Sequence, residues 1–371
     1  MLDLKSQYNK IKNEVALAID NVLESTNFIN GAEVGLFEKN LAYYMNSKYV
    51  VACANGTDAL QIAMMALELK PGDEVIVPAF TYAATAEVVG LLGLVPVLVD
   101  VDPYTFNIRT EDIEPSISDK TKAIVPVHLF GQGSNMKEIM EIAGKHNLYV
   151  IEDNAQAIGA RYKYEDGSIK MLGTIGDIGC TSFFPTKNLG CYGDGGAMFA
   201  QSPEIAERLK MITDHGQKVR YYHDIIGCNS RLDTIQAAVL NVKLKRLIEY
   251  SASRYEAANL YKELLSDIDD IVLPNESDYS DHVYHQFTIQ LPADKRDGVK
   301  EYLASKGIAS MTYYPISLNN QKAFAGISKI RVSLANSERL AGSVLSLPMH
   351  TELTPEIQKR ICSTLKESLG Y

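Results

Sequence analysis

Thr181-Ser182-Phe183-Phe184-Pro185-Thr186-Lys187-Asn188-Leu189-Gly190, read with Leu148-Tyr149-Val150-Ile151-Glu152-Asp153-Asn154-Ala155-Gln156 upstream, is the most informative part of this chain. The upstream stretch is an apolar run that ends on two carboxylates. Downstream, a lysine follows a Ser-Phe-Phe-Pro-Thr turn and precedes the glycine-rich Gly190-Cys191-Tyr192-Gly193-Asp194-Gly195-Gly196. Both stretches place polar groups at strand ends, which is where ligands bind on a mostly parallel sheet.

Outward from these stretches the pattern repeats. Tyr49–Cys53, Glu74–Pro78, Val95–Asp100, Lys122–Val127 and Leu148–Asp153 read as short buried strands. Helical segments fall between them, at 57–69, 83–92 and 135–146. Apolar strands alternating with helices predict an α/β fold whose sheet is covered on both faces. Residues 1–47 read as amphipathic helix with a break at Gly31. Residues 234–264 read as one or two long helices, and 265–371 mixes short strands (around Tyr284–Ile289 and Ile330–Val332) with helices. The expected division is a large cofactor-binding domain over 1–245 and a smaller C-terminal α+β domain over 246–371.

Composition narrows the function. The chain has 371 residues, enough for a large core plus a smaller domain. A formal net charge of −10 argues against a nucleic-acid partner. An anionic substrate would need locally concentrated positive charge, for which Lys187, Lys218, Arg220 and Arg231 are the candidates. The five cysteines include no CxxC pair, so neither a disulfide framework nor a zinc site is expected. His282 and His285 are three apart without a ligand cluster, and a hydrogen-bonding role is the expectation for them. No apolar run reaches bilayer length and the N-terminus lacks a signal-peptide core, so the expected location is the cytoplasm, away from any membrane.

Lys187 at a strand end, ahead of a glycine run, is a setting for covalent attachment of pyridoxal 5'-phosphate, with the same amine then moving protons. Asp153 would face the pyridinium nitrogen and keep it protonated. Gln156, three residues on, could reach the cofactor's phenolic oxygen. Gly56-Thr57-Asp58 would offer a helix N-terminus and a hydroxyl to the phosphate, with Ser182 adding a second hydroxyl. Gly-Thr before a helix is common, so this part is weak alone. Tyr82 could stack on the pyridine ring, and reads equally well as a core tyrosine. Asn229 and Arg231 are assigned to a phosphate and a carboxylate respectively, although taken alone they read as a capped helix start with solvent-facing charge. The 190–196 glycines match neither G-x-G-x-x-G after a strand nor a P-loop.

With these residues in place, the chain resembles the DegT/DnrJ/EryC1/StrS sugar aminotransferases, a fold-type I pyridoxal phosphate family with a seven-stranded type of sheet. Gly56-Thr57-Asp58-Ala59-Leu60, Pro78-Ala79-Phe80-Thr81-Tyr82, His128-Leu129-Phe130-Gly131-Gln132, Asp214-His215-Gly216 and Leu347-Pro348-Met349-His350 carry the resemblance over nearly the whole chain. It implies a homodimer with shared active sites. It also implies Lys187 on the cofactor, Asp153 and Gln156 at the ring, Thr57, Asp58 (through its backbone) and Ser182 at the phosphate, a stacking Tyr82, and Asn229 reaching the partner's phosphate. The implied donor is L-glutamate and the acceptor a nucleotide-linked keto sugar. Asn229-Ser230-Arg231-Leu232-Asp233 and Tyr314-Pro315-Ile316 further resemble members that act on UDP-2-acetamido-3-keto-glucuronate in O-antigen precursor synthesis, where Arg231, Tyr313 and Tyr314 would meet the sugar. Tyr313 stands where those members carry histidine, which keeps dTDP-3-keto-6-deoxy-hexose aminotransferases as an alternative. A cofactor-binding regulatory protein without turnover is the alternative of another class.

Overall fold

A computed structural model describes residues 1–371. Its helices are α1 Leu4–Ser25, α2 Ala32–Met45, α3 Gly56–Ala66, α4 Ala84–Leu91, α5 Met136–His146, α6 Pro203–Thr213, α7 Thr234–Leu244, α8 Leu247–Leu265, α9 Ala293–Ser305, α10 Ala335–Ser343 and α11 Pro355–Leu369. Its strands are β1 Tyr49–Cys53, β2 Glu74–Pro78, β3 Val95–Val99, β4 Thr121–Ile124, β5 Tyr149–Asp153, β6 Arg161–Lys163, β7 Ile169–Met171, β8 Ile178–Ser182, β9 Gly196–Ala200, β10 Gln217–Val219, β11 Tyr222–His223, β12 Phe287–Gln290, β13 Lys329–Ile330 and β14 Val344–Leu347.

Eight strands form the central sheet, in the order β1-β9-β8-β5-β4-β2-β3-β13. Only β9 runs against the others. Strands buried on both faces have no polar side to expose, which is why β2 reads Glu-Val-Ile-Val-Pro and β3 Val-Pro-Val-Leu-Val. Alternate residues still serve different layers. Val75, Val77 and Leu98 pack with α3 and α6, whereas Ile76, Val97 and Val99 pack with Met136 and Ile139 of α5. Near β1 and β9 the second layer is α2 with α7, through Phe37, Leu41, Ala52, Phe199 and Leu240. The amphipathic α1 lies outside α7, burying Ile11 and Val15 against Val239 and Val242.

A separate core gathers Ala257, Tyr261, Phe287, Leu303, Leu345 and Ile361 around the antiparallel pair β12–β14. The same C-terminal region returns to the large sheet. Lys329 and Ile330 add a parallel edge beside Val97 and Leu98, making eight strands where seven were expected. Glu74 anchors this return: its carboxylate, 1% exposed, meets Lys329 Nζ at 2.7 Å, Arg331 Nη2 at 2.8 Å and Ser118 Oγ at 2.6 Å. The first of the expected C-terminal strands begins only at Phe287, because Tyr284 takes a positive φ of 44° and breaks the extended run. No helix is long and apolar enough to cross a membrane.

Burial alone would raise the Glu74 carboxyl, but Arg331, Lys329 and Ser118 outweigh it and hold the group down to about 2. A carboxylate depressed in the folded state stabilises fully above its unfolded value, here 4.5, and that contribution is lost as pH falls toward 2. Urea midpoints measured down this interval should therefore fall more steeply for the natural protein than for Glu74→Gln. Near neutrality the variant should be less stable by about 3 kcal/mol, since it leaves two cations without their buried partner.

Candidate active site

The parallel strands β1, β2, β5 and β8 end along one edge of the sheet, and a cavity of about 610 Å³ opens there. It takes Asn55, Gly56 and Thr57 from the turn after β1, Thr81 and Tyr82 from the turn after β2, and Asp153 and Gln156 from the end of β5. Ser182 and Lys187 enter from β8 and its following loop. His285, Tyr313 and Tyr314 come from the C-terminal region.

Helix α3 begins at this cavity. Asn55 caps it, its Oδ1 accepting the N–H of Asp58 at 2.8 Å. The first intrahelical bond is Ala59 N–H to Asn55 O, so the Gly56 and Thr57 N–H groups lie ahead of the ladder with the positive end of the helix dipole behind them. Asp58 N–H, expected at the phosphate, is held by the cap instead. Gly56 is required by closeness: a Cβ there would lie 2.7 Å from Ser182 Cβ. The result is a small concave donor surface bordered by the Thr57 and Ser182 hydroxyls.

Glu152 and Asp153 point to opposite faces of β5. Glu152 is fully buried, and its oxygens accept from Gly173 N–H (2.8 Å), Ile175 N–H (2.6 Å), Gly176 N–H (2.7 Å) and His128 Nε2 (2.9 Å). Burial pushes this carboxyl up, but His128 and the backbone donors more than offset it and hold it below its ordinary range. Asp153 faces the cavity. Thr85 Oγ1 donates to its Oδ2 at 2.8 Å and Ala155 N–H to its Oδ1 at 3.1 Å, which fixes the plane of the carboxylate. Gln156 is held at both ends: Oε1 accepts from Phe130 N–H at 2.8 Å and Nε2 donates to the Tyr314 hydroxyl at 3.0 Å. Tyr314 packs its ring near Phe80 and Tyr82, each with centroids 6.1 Å away. Tyr82 is 59% exposed at the cavity mouth, so it is not the core tyrosine of the alternative reading.

Lys187 is half-buried and has no ion-pair partner within 4 Å. Burial pulls its ammonium down to about 8, with the Asp153 carboxylate acting in the opposite direction. It is the only one of the four cation candidates in the cavity. Lys218 pairs with Glu207, and Arg220 lies over the Tyr221 ring at 4.9 Å. Arg231 donates to Asp214 (3.0 Å) and Asn229 (2.7 Å) away from the cavity, so the structure brings neither Asn229 nor Arg231 to Lys187 in one chain.

Thr81, Thr85, Asp194 and His285 also belong to the site or its support, and sequence reading assigned none of them a role there. Thr81 Oγ1 and His285 Nδ1 are buried without partners. Histidine in an apolar strand context carried a weak signal; a threonine inside an alanine-rich helix carried none.

A sequence model described as the DegT/DnrJ/EryC1/StrS aminotransferase family matches residues 9–366. Three relatives are each 44% identical to this chain. The "pleiotropic regulatory protein" of Geobacillus stearothermophilus matches over 99% of this chain and 97% of its own length. The UDP-N-acetyl-3-dehydro-α-D-glucosamine 3-aminotransferase of Acidithiobacillus ferrooxidans matches over 100% and 97%. The UDP-2-acetamido-2-deoxy-3-oxo-D-glucuronate aminotransferase of Pseudomonas aeruginosa matches over 98% and 98%. Among solved structures, a DegT/DnrJ/EryC1/StrS aminotransferase of Brucella abortus superposes with a TM-score of 0.95 at 41% identity, covering 100% of this chain and 99% of that one. A Bacillus subtilis protein with bound cofactor PMP gives 0.89 at 34%, covering 98% and 83%.

The lowered Lys187 ammonium has a direct chemical readout. Competitive acetylation of the cofactor-free protein, followed by peptide mass spectrometry, should give Lys187 a titration midpoint near 8, against about 10.4 for surface lysines in the same sample. A midpoint at the surface value would contradict the desolvation.

Proposed function

The chain belongs to the DegT/DnrJ/EryC1/StrS aminotransferase family, and from that premise we propose that it is a pyridoxal 5'-phosphate-dependent aminotransferase that moves the amino group of L-glutamate to the 3-keto group of a UDP-linked 2-acetamido sugar. The observation that carries this reading is Lys187: an unpaired, desolvated amine across a cavity from the fixed carboxylate of Asp153.

The residues present fit the cofactor. The close approach of Gly56 to Ser182 leaves backbone N–H groups open to a phosphate, and the buried Thr81 hydroxyl lacks any partner in the chain. Gly56, Thr57 and Ser182 would hold the phosphate, Asp153 the ring nitrogen, Gln156 and Tyr82 the ring's edge and face, and Lys187 the aldehyde carbon. When bound, pyridoxal 5'-phosphate supplies the carbonyl that takes up the donor's nitrogen and the ring that withdraws electrons from its α-carbon.

The chain's own work is proton handling and orientation. Lowered to about 8, Lys187 Nζ keeps about a tenth of its amine uncharged at neutral pH, far more than a surface lysine, and that form serves as base for the α-proton of the donor. Thr85 and Ala155 hold the Asp153 carboxylate in plane. The bond from Gln156 ties the Tyr314 hydroxyl to the rim, where Tyr313 and Tyr314 would meet the sugar.

We place the complete site in a homodimer. Val219, Tyr221 and Tyr222 of the β10–β11 hairpin, with Ile226 just after it, are all at least 60% exposed, an apolar surface suited to a second copy. The adjacent Asn229 and Arg231 would then serve the partner's cavity, Asn229 at its phosphate and Arg231 at a sugar carboxylate. The glucuronate is our first choice of acceptor on that ground. A regulatory protein without turnover remains the second reading, favoured by the name of the Geobacillus relative.

Adding glutamate to the cofactor-loaded protein separates the two readings. Loss of the cofactor's visible band with release of 2-oxoglutarate is expected, and an unchanged band would favour the regulator. Lys187→Ala should reduce turnover by about 10³-fold or more, since both attachment and proton transfer are lost. Arg231→Ala should lower kcat/KM for the UDP 3-keto-glucuronate by at least about tenfold while changing that for the neutral 3-keto-glucosamine by about twofold or less. Equal losses would remove Arg231 from the carboxylate.

A further inference from the structure

Gln156 fixes the direction of one proton in the cavity. Its Oε1 accepts the Phe130 N–H at 2.8 Å, and a backbone N–H can only donate, so the amide has one orientation. Nε2 therefore faces Tyr314 and donates to its hydroxyl at 3.0 Å. The hydroxyl oxygen is the acceptor in that bond, which leaves its own proton to be directed elsewhere. The chain gives that proton no acceptor, since Gln156 is the only hydrogen-bond partner of the Tyr314 side chain. Tyr314 lines the cavity, so the O–H bond is free to point into it.

The chain spends several interactions on this arrangement. The Tyr314 ring meets Phe80 at 6.1 Å and Tyr313 at 5.8 Å, both edge to face. Phe80 stacks on Phe106 at 6.3 Å, and Phe106 meets Phe130 at 5.1 Å. The aromatic contacts thus return to the residue whose N–H holds Gln156. Phe106 and Phe130 both take a positive φ, 63° and 57°, which a bulky side chain rarely adopts. Asn107 pins that turn: its Oδ1 accepts the Leu129 N–H at 3.0 Å and its Nδ2 donates to Gly133 O at 2.9 Å. Burial pushes the Tyr314 hydroxyl well above the ordinary tyrosine range; the Gln156 donor pulls the other way and the Asp153 carboxylate adds to the rise, so the group keeps its proton.

Transamination has a use for such a donor. At the reacting carbon a nitrogen is exchanged for an oxygen. On the glutamate side the C–N bond breaks and the oxygen of water becomes the carbonyl of 2-oxoglutarate. On the sugar side the C–N bond forms and the C3 oxygen leaves as water. Lys187 moves the proton on carbon, and Asp153 faces the ring nitrogen; neither attends the oxygen. In pyridoxal phosphate the phenolic oxygen and the reacting carbon are borne by neighbouring ring atoms. Gln156, with its second Nε2 hydrogen at the ring's edge, would therefore present Tyr314 on the side of that carbon. We propose that Tyr314 is a second catalytic residue: its hydroxyl donates a hydrogen bond to the carbonyl oxygen at the reacting carbon, in 2-oxoglutarate and in the 3-keto sugar alike. The proposal rests on the aminotransferase reading and adds to Lys187 a separate donor for the oxygen.

The test follows carbon and oxygen separately. The cofactor-loaded protein is given glutamate carrying deuterium on its α-carbon. Loss of deuterium to solvent reports Lys187, and release of 2-oxoglutarate reports the oxygen step. In Tyr314→Phe, which keeps the ring and its packing, deuterium loss should stay within about twofold of the natural rate while 2-oxoglutarate release falls about tenfold or more. A residue that only supported the fold would slow both together. Outside turnover, 2-oxoglutarate labelled with ¹³C at its keto carbon is bound to the protein loaded with pyridoxal phosphate and read by infrared difference spectroscopy. Its keto stretch should lie at lower frequency in the natural protein than in Tyr314→Phe. Equal slowing of deuterium loss and release, an unchanged release, or a keto stretch at one frequency in both proteins would each overturn the proposal. If the natural protein neither loses deuterium nor releases 2-oxoglutarate, the aminotransferase reading itself fails. Natural turnover matched by Tyr314→Phe removes Tyr314 alone.

Discussion

Burial of the Glu152 carboxylate is the constraint from which the site is built. A charge taken this far from water is tolerable only when fully bonded. Glu152 meets the requirement with three backbone N–H groups from 173–176 and the ring of His128. The first three fix the turn that leads into β8, and so the height at which Ser182 and Lys187 emerge. The fourth fixes the turn containing Phe130 and Gly131, against which Gln156 and the 283–286 segment are bonded. Because neighbouring residues of a strand face opposite ways, anchoring Glu152 also aims Asp153 into the cavity.

Much of this was legible in the sequence where the signal is local. Five strands and the α/β alternation follow from apolar runs with turn residues between them, and Lys187, Asp153 and Gln156 stood out because they occur at strand ends. The parts that were not legible depend on tertiary distance. The eighth strand is two residues long and pairs with Val97 and Leu98 from more than two hundred positions away. The strand expected through Val127 stops at Ile124, because Pro126 has no N–H to continue the ladder. The Asp58 N–H, read as a phosphate donor, is taken by the Asn55 side chain, and a sequence does not say that this cap forms. Thr85 matters only because α4 places it beside Asp153.

Charge tells a similar story at two scales. The chain as a whole carries a formal −10, yet the cavity offers an anion the first turn of α3 and a single amine. Local geometry decides here, since desolvated dipoles and one unpaired lysine outweigh distant carboxylates that water screens. The same desolvation that lowers Lys187 to about 8 raises the share of uncharged amine at neutral pH to about a tenth. The remaining cation candidates Arg220 and Arg231 lie outside this cavity, over Tyr221 and against Asp214 and Asn229 respectively.

The most direct test of the whole account follows the nitrogen atom. The loaded protein would be given ¹⁵N-glutamate and a UDP-linked 2-acetamido-3-keto sugar, and the sugar product read by mass spectrometry and NMR. The account predicts one ¹⁵N atom bonded to C3 of the sugar for each 2-oxoglutarate released. Release of 2-oxoglutarate with no labelled sugar, or no release at all, would contradict it.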